Sequence, residues 1–160
     1  MRVMKRGVDI SILTVFSLFA VFTHAMNKTG DYGIGVNYPG VGFRYFINNR
    51  VAIEGRAQRD EEVLAGGLRG ILYAGKLDQV FFYGGLEVDR LWVRDVDRIA
   101  GGWATSVFIG GEVFVSKRLA VNVDFGPTLF KLQDNGIGVE NSTVEPVVNI
   151  GMIYFIGGKP

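Results

Sequence analysis

No cysteine occurs in the 160 residues, which excludes disulfides, thiolate chemistry and cysteine-held metals and leaves the redox compartment unmarked. The one histidine, His24, stands near the N-terminus, so nothing downstream can serve serine–histidine catalysis. An excess of one charge is missing too. The 17 Lys and Arg against 16 Asp and Glu make no basic field, and nucleic acid is not an expected partner. The uncharged run Ile10–Phe22 is only 13 residues, short of the ~20 that a membrane-spanning helix needs. Helical periodicity is absent after Ala25, and no linker or low-complexity block divides the chain.

What is present begins with an address. Arg2, Lys5 and Arg6 precede the apolar run, and Thr23-His24-Ala25 places small residues where a signal peptidase needs them. Residues 1–25 are therefore expected to be a cleaved signal peptide, with an uncleaved amphipathic anchor as the alternative. The expected mature chain, residues 26–160, carries 14 basic and 15 acidic side chains. It is one domain's worth of sequence.

Within it, apolar and polar residues alternate with period two in eight segments separated by turn residues. The segments fall near 31–38, 41–47, 51–58, 63–74, 79–92, 103–115, 119–131 and 144–156. In "YGGLEVDRLW", Glu87 and Asp89 share one parity while Leu86, Val88 and Trp92 share the other. Across all segments one parity is uncharged between its rims. The other holds Arg44, Glu54, Arg56, Arg69, Glu87, Asp89, Glu112 and Asp124 among many glycines. The spacing predicts an all-β, eight-stranded antiparallel up-and-down barrel.

Two barrels satisfy that pattern: a soluble one with the apolar parity inside, and a transmembrane one with it outside. Three features favour the second. Tight connections alternate with longer ones, 93–102 and 132–143. Aromatic residues stand near segment ends, Trp92 and Trp103 at one rim and Tyr45 and Tyr154 at the other, as interfacial belts do. The charged parity is rich in glycine, which a packed interior needs beside each charge. Three-residue turns would place Arg44 opposite Glu54, Gly67 opposite Glu87, Arg69 opposite Gly85 and Gly110 opposite Asp124. The interior acids exceed the three arginines by two, and that surplus has to be hydrated, protonated or placed near a rim.

The last segment reads "NIGMIYFI", with Asn149, Gly151, Tyr154 and Ile156 spaced as polar, glycine, aromatic and apolar residues. With the eight alternating segments, this resembles the small eight-stranded outer-membrane barrels of the OmpA/OmpX type. Many members of that family end on an aromatic residue, whereas this chain continues with Gly157-Gly158-Lys159-Pro160. The resemblance implies residence in a bacterial outer membrane, contact with its lipid and delivery by the barrel-insertion machinery, which reads that C-terminal signal. It implies no enzymatic activity, no cofactor and no metal, and it leaves the loops 93–102 and 132–143 as places for an extracellular ligand.

Glu87 and Asp89 could do acid–base work, or join an ion-pair network with Arg44, Arg56 and Arg69. Asp95, Asp97 and Asp134 could hold a cation, but their arginine neighbours fit a solvated loop. The glycine doublets 66–67, 84–85 and 110–111 are mid-strand and imply curvature rather than a phosphate loop. The expected function is thus a non-enzymatic membrane barrel with a filled polar interior. Two alternatives stay open: a periplasmic lipocalin-like binder with the apolar parity lining a ligand cavity, and a lipid-modifying barrel enzyme. N-terminal sequencing of the mature protein should begin at Met26; a retained Met1 overturns the export reading.

Overall fold

The computed structural model describes residues 30–60, 63–95, 98–134 and 140–156. The expected signal peptide, 1–25, and the last four residues lie outside them. Eight antiparallel strands close into a barrel in chain order: β1 (Tyr32–Asn37), β2 (Gly40–Phe46), β3 (Val51–Arg59), β4 (Val63–Leu77), β5 (Val80–Asp95), β6 (Arg98–Phe114), β7 (Leu119–Asp134) and β8 (Glu140–Phe155). β8 returns to pair with β1, Gly33 opposite Phe155 and Asn37 opposite Gly151. The alternation read from the sequence is the alternation of inward and outward side chains.

The tight turns are built by side chains. Asn48 Oδ1 accepts from the backbone N–H groups of Arg50 and Val51 at 2.8 and 2.9 Å. Ser116 Oγ does the same for Arg118 and Leu119 at 3.3 and 3.1 Å, so neither turn requires a glycine. Arg44 opposite Glu54 and Gly110 opposite Asp124 are found as expected. The β4–β5 register is not. Its turn is the tighter one at Asp78-Gln79, with Asp78 at φ 54°, and a bulge follows between Tyr73 and Gly75. The shift sets Arg69 directly opposite Glu87 and Gly67 opposite Asp89.

The long connections are corrected as well. Most of 93–102 is strand, because β5 runs to Asp95 and β6 starts at Arg98. Most of 132–143 is strand too, with only 135–139 between β7 and β8. Turn-forming glycines and charges there suggested loops, yet cross-strand pairing continues through them, Trp92 opposite Gly101 and Leu132 opposite Asn141.

Strand stagger fixes the shape. From Val36 the paired residues run through Val41, Ala57, Gly66, Arg90, Trp103, Lys131 and Ser142. The β8–β1 register then carries Ser142 to a point ten residues beyond Val36 on the line of β1. Ten residues of strand rise against eight interstrand spacings tilt the strands by about 40°. β1 and β2, of 6 and 7 residues, stop far below the hairpins of 16 or 17 residues, so the rim slopes. Above Ile150, β8 has no strand partner on its β1 side among the described residues.

Glycine sets how closely the interior packs. A Cβ on Gly110 would lie 2.6 Å from Asp124 Cβ and 2.7 Å from the Tyr83 ring, whereas one on Gly70 would meet nothing. Gly110→Ala should lower stability by about 1–3 kcal/mol through overpacking, and Gly70→Ala should be near neutral. Urea unfolding followed by tryptophan fluorescence measures both; equal effects would mean the interior is looser than this packing.

Candidate functional site

The inward parity carries the chemistry. Arg44, Glu54, Arg69, Glu87, Glu112 and Asp124 are buried, each brought to the barrel axis by a strand whose neighbouring side chains point outward. They form one alternating chain of charge. Glu112 accepts from Arg44 at 2.6 Å, and Arg44 also reaches Glu54 at 2.6 Å. Glu54 lies 3.7 Å from Arg56, which pairs with Glu87 at 2.9 Å. Glu87 meets Arg69 at 3.2 Å, and Arg69 ends the chain on Asp124 at 2.9 Å.

Both ends of this chain are acids, and neutral donors complete them. Tyr73 donates to Glu112 at 3.2 Å and accepts from Arg44 at 2.7 Å. Tyr83 donates to Asp124 at 3.1 Å, as does the Asn149 amide at 2.9 Å. Asn149 Oδ1 also accepts from Arg56 at 3.4 Å. The Arg69 guanidinium lies 3.8 Å from the Phe108 ring centroid, a cation–π contact on its open face. Carboxylates cut off from water need such partners, since an unpaired one costs several kcal/mol.

Of the eight charged residues expected inside, seven join the chain. Asp89 does not: it is half-buried, faces Gly67 across the ladder and takes part in none of these ion pairs. The sequence reading missed Tyr73, Tyr83 and Asn37, although their inward parity was available as a signal. It also missed an apolar seal. Phe46, Ile71, Tyr73, Tyr83, Phe108, Ile153 and Phe155 cluster inside the end of the barrel that carries the tight turns. Phe46 and Tyr73 stack at 5.5 Å, and Phe114 and Phe155 at 5.5 Å. A second cluster, Ala65, Leu91 and Ala104 with Phe130 and Leu132 against it, lies inside toward the other end.

The outward parity is hydrocarbon. Ile34, Phe43, Leu68, Leu86, Val107, Phe125, Val148 and Met152 are all exposed. From the level of Tyr45 to that of Trp103, outward positions of the described strands carry no charge except Arg90, the rim residue Arg59 and Lys131, which stands opposite Trp103. On β6, Trp103 to Val113 spans ten residues, an axial height of ~25 Å at this tilt. Trp92 and Trp103 are 48% and 51% exposed on adjacent strands at the upper limit of this band. Tyr45 and Tyr154 lie outward at its lower limit, joined by Tyr32 opposite Tyr45.

The four residues of the C-terminal pattern divide by side. Asn149 and Gly151 face inward, Gly151 so close to Asn37 that a Cβ would collide with its amide oxygen. Tyr154 faces outward, and the Ile156 N–H donates to the Tyr32 carbonyl at 2.8 Å. The expected cation ligands Asp97 and Asp134 have side chains outside the described residues, as has Asp95. No group of three or more metal-binding side chains occurs among the described residues.

These features define a closed barrel with an ion-paired interior and an apolar exterior. Scanned against models of known protein families and against curated proteins, the chain matches none.

The ion-pair chain makes a specific prediction. Arg69→Ala leaves Glu87 with Arg56 but leaves Asp124 with neutral donors alone. It should cost about 3–5 kcal/mol. Adding Asp124→Ala should recover more of that loss than adding Glu87→Ala, with a coupling of about 1–3 kcal/mol. Urea unfolding of the singles and both doubles measures this, and strict additivity would show that Arg69 meets neither acid.

Proposed function

We propose that the chain is a non-enzymatic integral outer-membrane β-barrel of the small eight-stranded type, a sealed membrane element that conducts no solute. The observation that carries this reading is the facing: charge inside, and a belt of exposed hydrocarbon ~25 Å tall outside, bounded by tryptophans above and tyrosines below. An aqueous protein exposing a continuous apolar belt of this size would aggregate. A bilayer's hydrocarbon region requires one, and outer-membrane barrels present an apolar band of about this height between aromatic girdles.

A closed ladder supports the same reading, because lipid offers no partner to unpaired backbone groups. The low β1–β2 turn is economical in this respect. Tyr38 N–H donates to the Ile150 carbonyl at 3.1 Å, Pro39 has no N–H, and its carbonyl accepts from Arg59 at 3.4 Å. A lipocalin-like binder needs the apolar parity around an internal cavity, and here that parity points out. Solute passage would have to cross both the ion-pair chain and the aromatic seal.

In this reading the exported chain meets the insertion machinery through β8, and any extracellular ligand meets the protruding β5–β6 and β7–β8 hairpins rather than long loops. The test is membrane residence with the stated facing. The protein should stay in the membrane after alkaline carbonate washing. Arg in place of Val123, outward at mid-strand, should cost ~2–4 kcal/mol in bilayer refolding, and Arg in place of inward Asn122 should differ from it. Release by carbonate, or equal damage at both positions, overturns the reading.

A further inference from the structure

The end of the barrel that carries the tight turns is charged with one sign. Arg50 closes the β2–β3 turn, Lys76 opens the β4–β5 turn, and Lys117 and Arg118 lie in the β6–β7 turn. All four side chains are exposed, and none has an ion-pair partner among the described residues. Lys76 Nζ lies 4.9 Å from the Phe81 ring centroid, a contact that leaves its charge uncompensated. Against these cations stands one exposed acid, Asp78, since Asp31 near the same end is buried and already engaged. At the other rim the signs are mixed along the chain, Arg59 beside Asp60 and Arg94 beside Asp95.

Each of these turns also presents an apolar side chain. Ile47, Leu77 and Val115 are 47%, 67% and 59% exposed, one at each turn and each within three residues of a cation. This collar begins where the tyrosine girdle ends. Arg118 is the residue before Leu119, which pairs with Tyr154, and Arg50 lies three residues beyond Ile53, which pairs with Tyr45. One to three residues of tilted strand are ~3–8 Å of axial height, the depth of headgroups next to an interfacial girdle. A soluble polyanion would be met by charge alone and would leave three hydrocarbon tips in water. Apolar tips set beside cations fit instead the boundary between acyl chains and charged headgroups.

We propose, resting on the membrane reading above, that this basic collar binds the anionic phospholipid headgroups of the leaflet at the tight-turn end. Phosphates gather at Arg50, at Lys76 and at the Lys117–Arg118 pair, while Ile47, Leu77 and Val115 enter the acyl region beside them. Arginine offers phosphate a planar fork and lysine a point charge. The collar thereby fixes the depth of the barrel and enriches its boundary in anionic lipid, each cation contributing a preference of about fivefold.

The chain has only two tryptophans, both at the opposite rim, which makes the test direct. Trp92→Phe and Trp103→Phe remove them, and Val115→Trp then puts a single fluorophore beside Lys117 and Arg118. The full-length protein is reconstituted in phosphatidylcholine vesicles containing either brominated phosphatidylglycerol or brominated phosphatidylcholine at equal mole fraction. At ~0.01 M salt the anionic lipid should quench the new fluorophore preferentially, by about fivefold per adjacent cation, and at ~1 M salt the preference should largely vanish. Lys117→Gln and Arg118→Gln should each lower it about fivefold, whereas Arg59→Gln, at the other rim, should leave it unchanged. Equal quenching by the two lipids, no quenching at this position, or an equal loss with Arg59→Gln overturns the collar as a headgroup site. In the unaltered protein, failure of both lipids to quench Trp92 and Trp103 would instead remove the membrane reading itself.

Discussion

The structure depends on one constraint: three guanidinium groups enclosed in a narrow barrel must each find carboxylates without help from bulk water. Four acids and three arginines alternate from Glu112 through Arg44, Glu54, Arg56, Glu87 and Arg69 to Asp124. Each arginine thereby sits between two acids, and only the terminal acids need neutral donors. Because the chain passes through β6, β2, β3, β5, β4 and β7, it ties strands far apart in sequence. A slip of one residue in any of those registers would turn a charge out of the interior.

The small residues follow from that constraint. Where Asp124 and Tyr83 meet, Gly110 leaves the volume that their side chains occupy. The bulge near Ala74 is the other adjustment: the register beside the turn, Gly75 with Phe82, would carry Arg69 to Val88, and the bulge sets it opposite Glu87. Below the charged layer the same inward parity turns aromatic. Those rings exclude water from one end of the network, which strengthens the pairing they border.

Outside, the barrel handles two weak points with proline. The carbonyl of Ile150 points toward β1, so even-numbered β8 residues direct their backbone to the side that has no strand partner above Ile150. Pro146 falls on that open edge and removes one N–H that would otherwise lack an acceptor. Pro39 does the same in the low β1–β2 turn. Pro127 instead falls where the β6–β7 ladder is interrupted, between the pairs Ser106–Thr128 and Ile109–Phe125. Closure of the wall thus traces to a few residues.

Period-two alternation by itself determined the number of strands, their approximate limits and which residues share a face, because side chains on a strand alternate whatever surrounds them. It also separated Glu87 from Leu86 and placed seven of the eight charged residues in one cluster. Alternation is symmetric between inside and outside, so only closure of the sheet decided that the charges turn inward. Register was beyond it as well. The Asp78-Gln79 turn and the bulge, which bring Arg69 to Glu87, arise from local backbone geometry that parity does not encode. The connections 93–102 and 132–143 looked like loops because their residues are turn formers. They became strand because neighbouring backbone groups in an almost closed ladder pair with whatever residue lies opposite, and that pairing exists only once the barrel has formed.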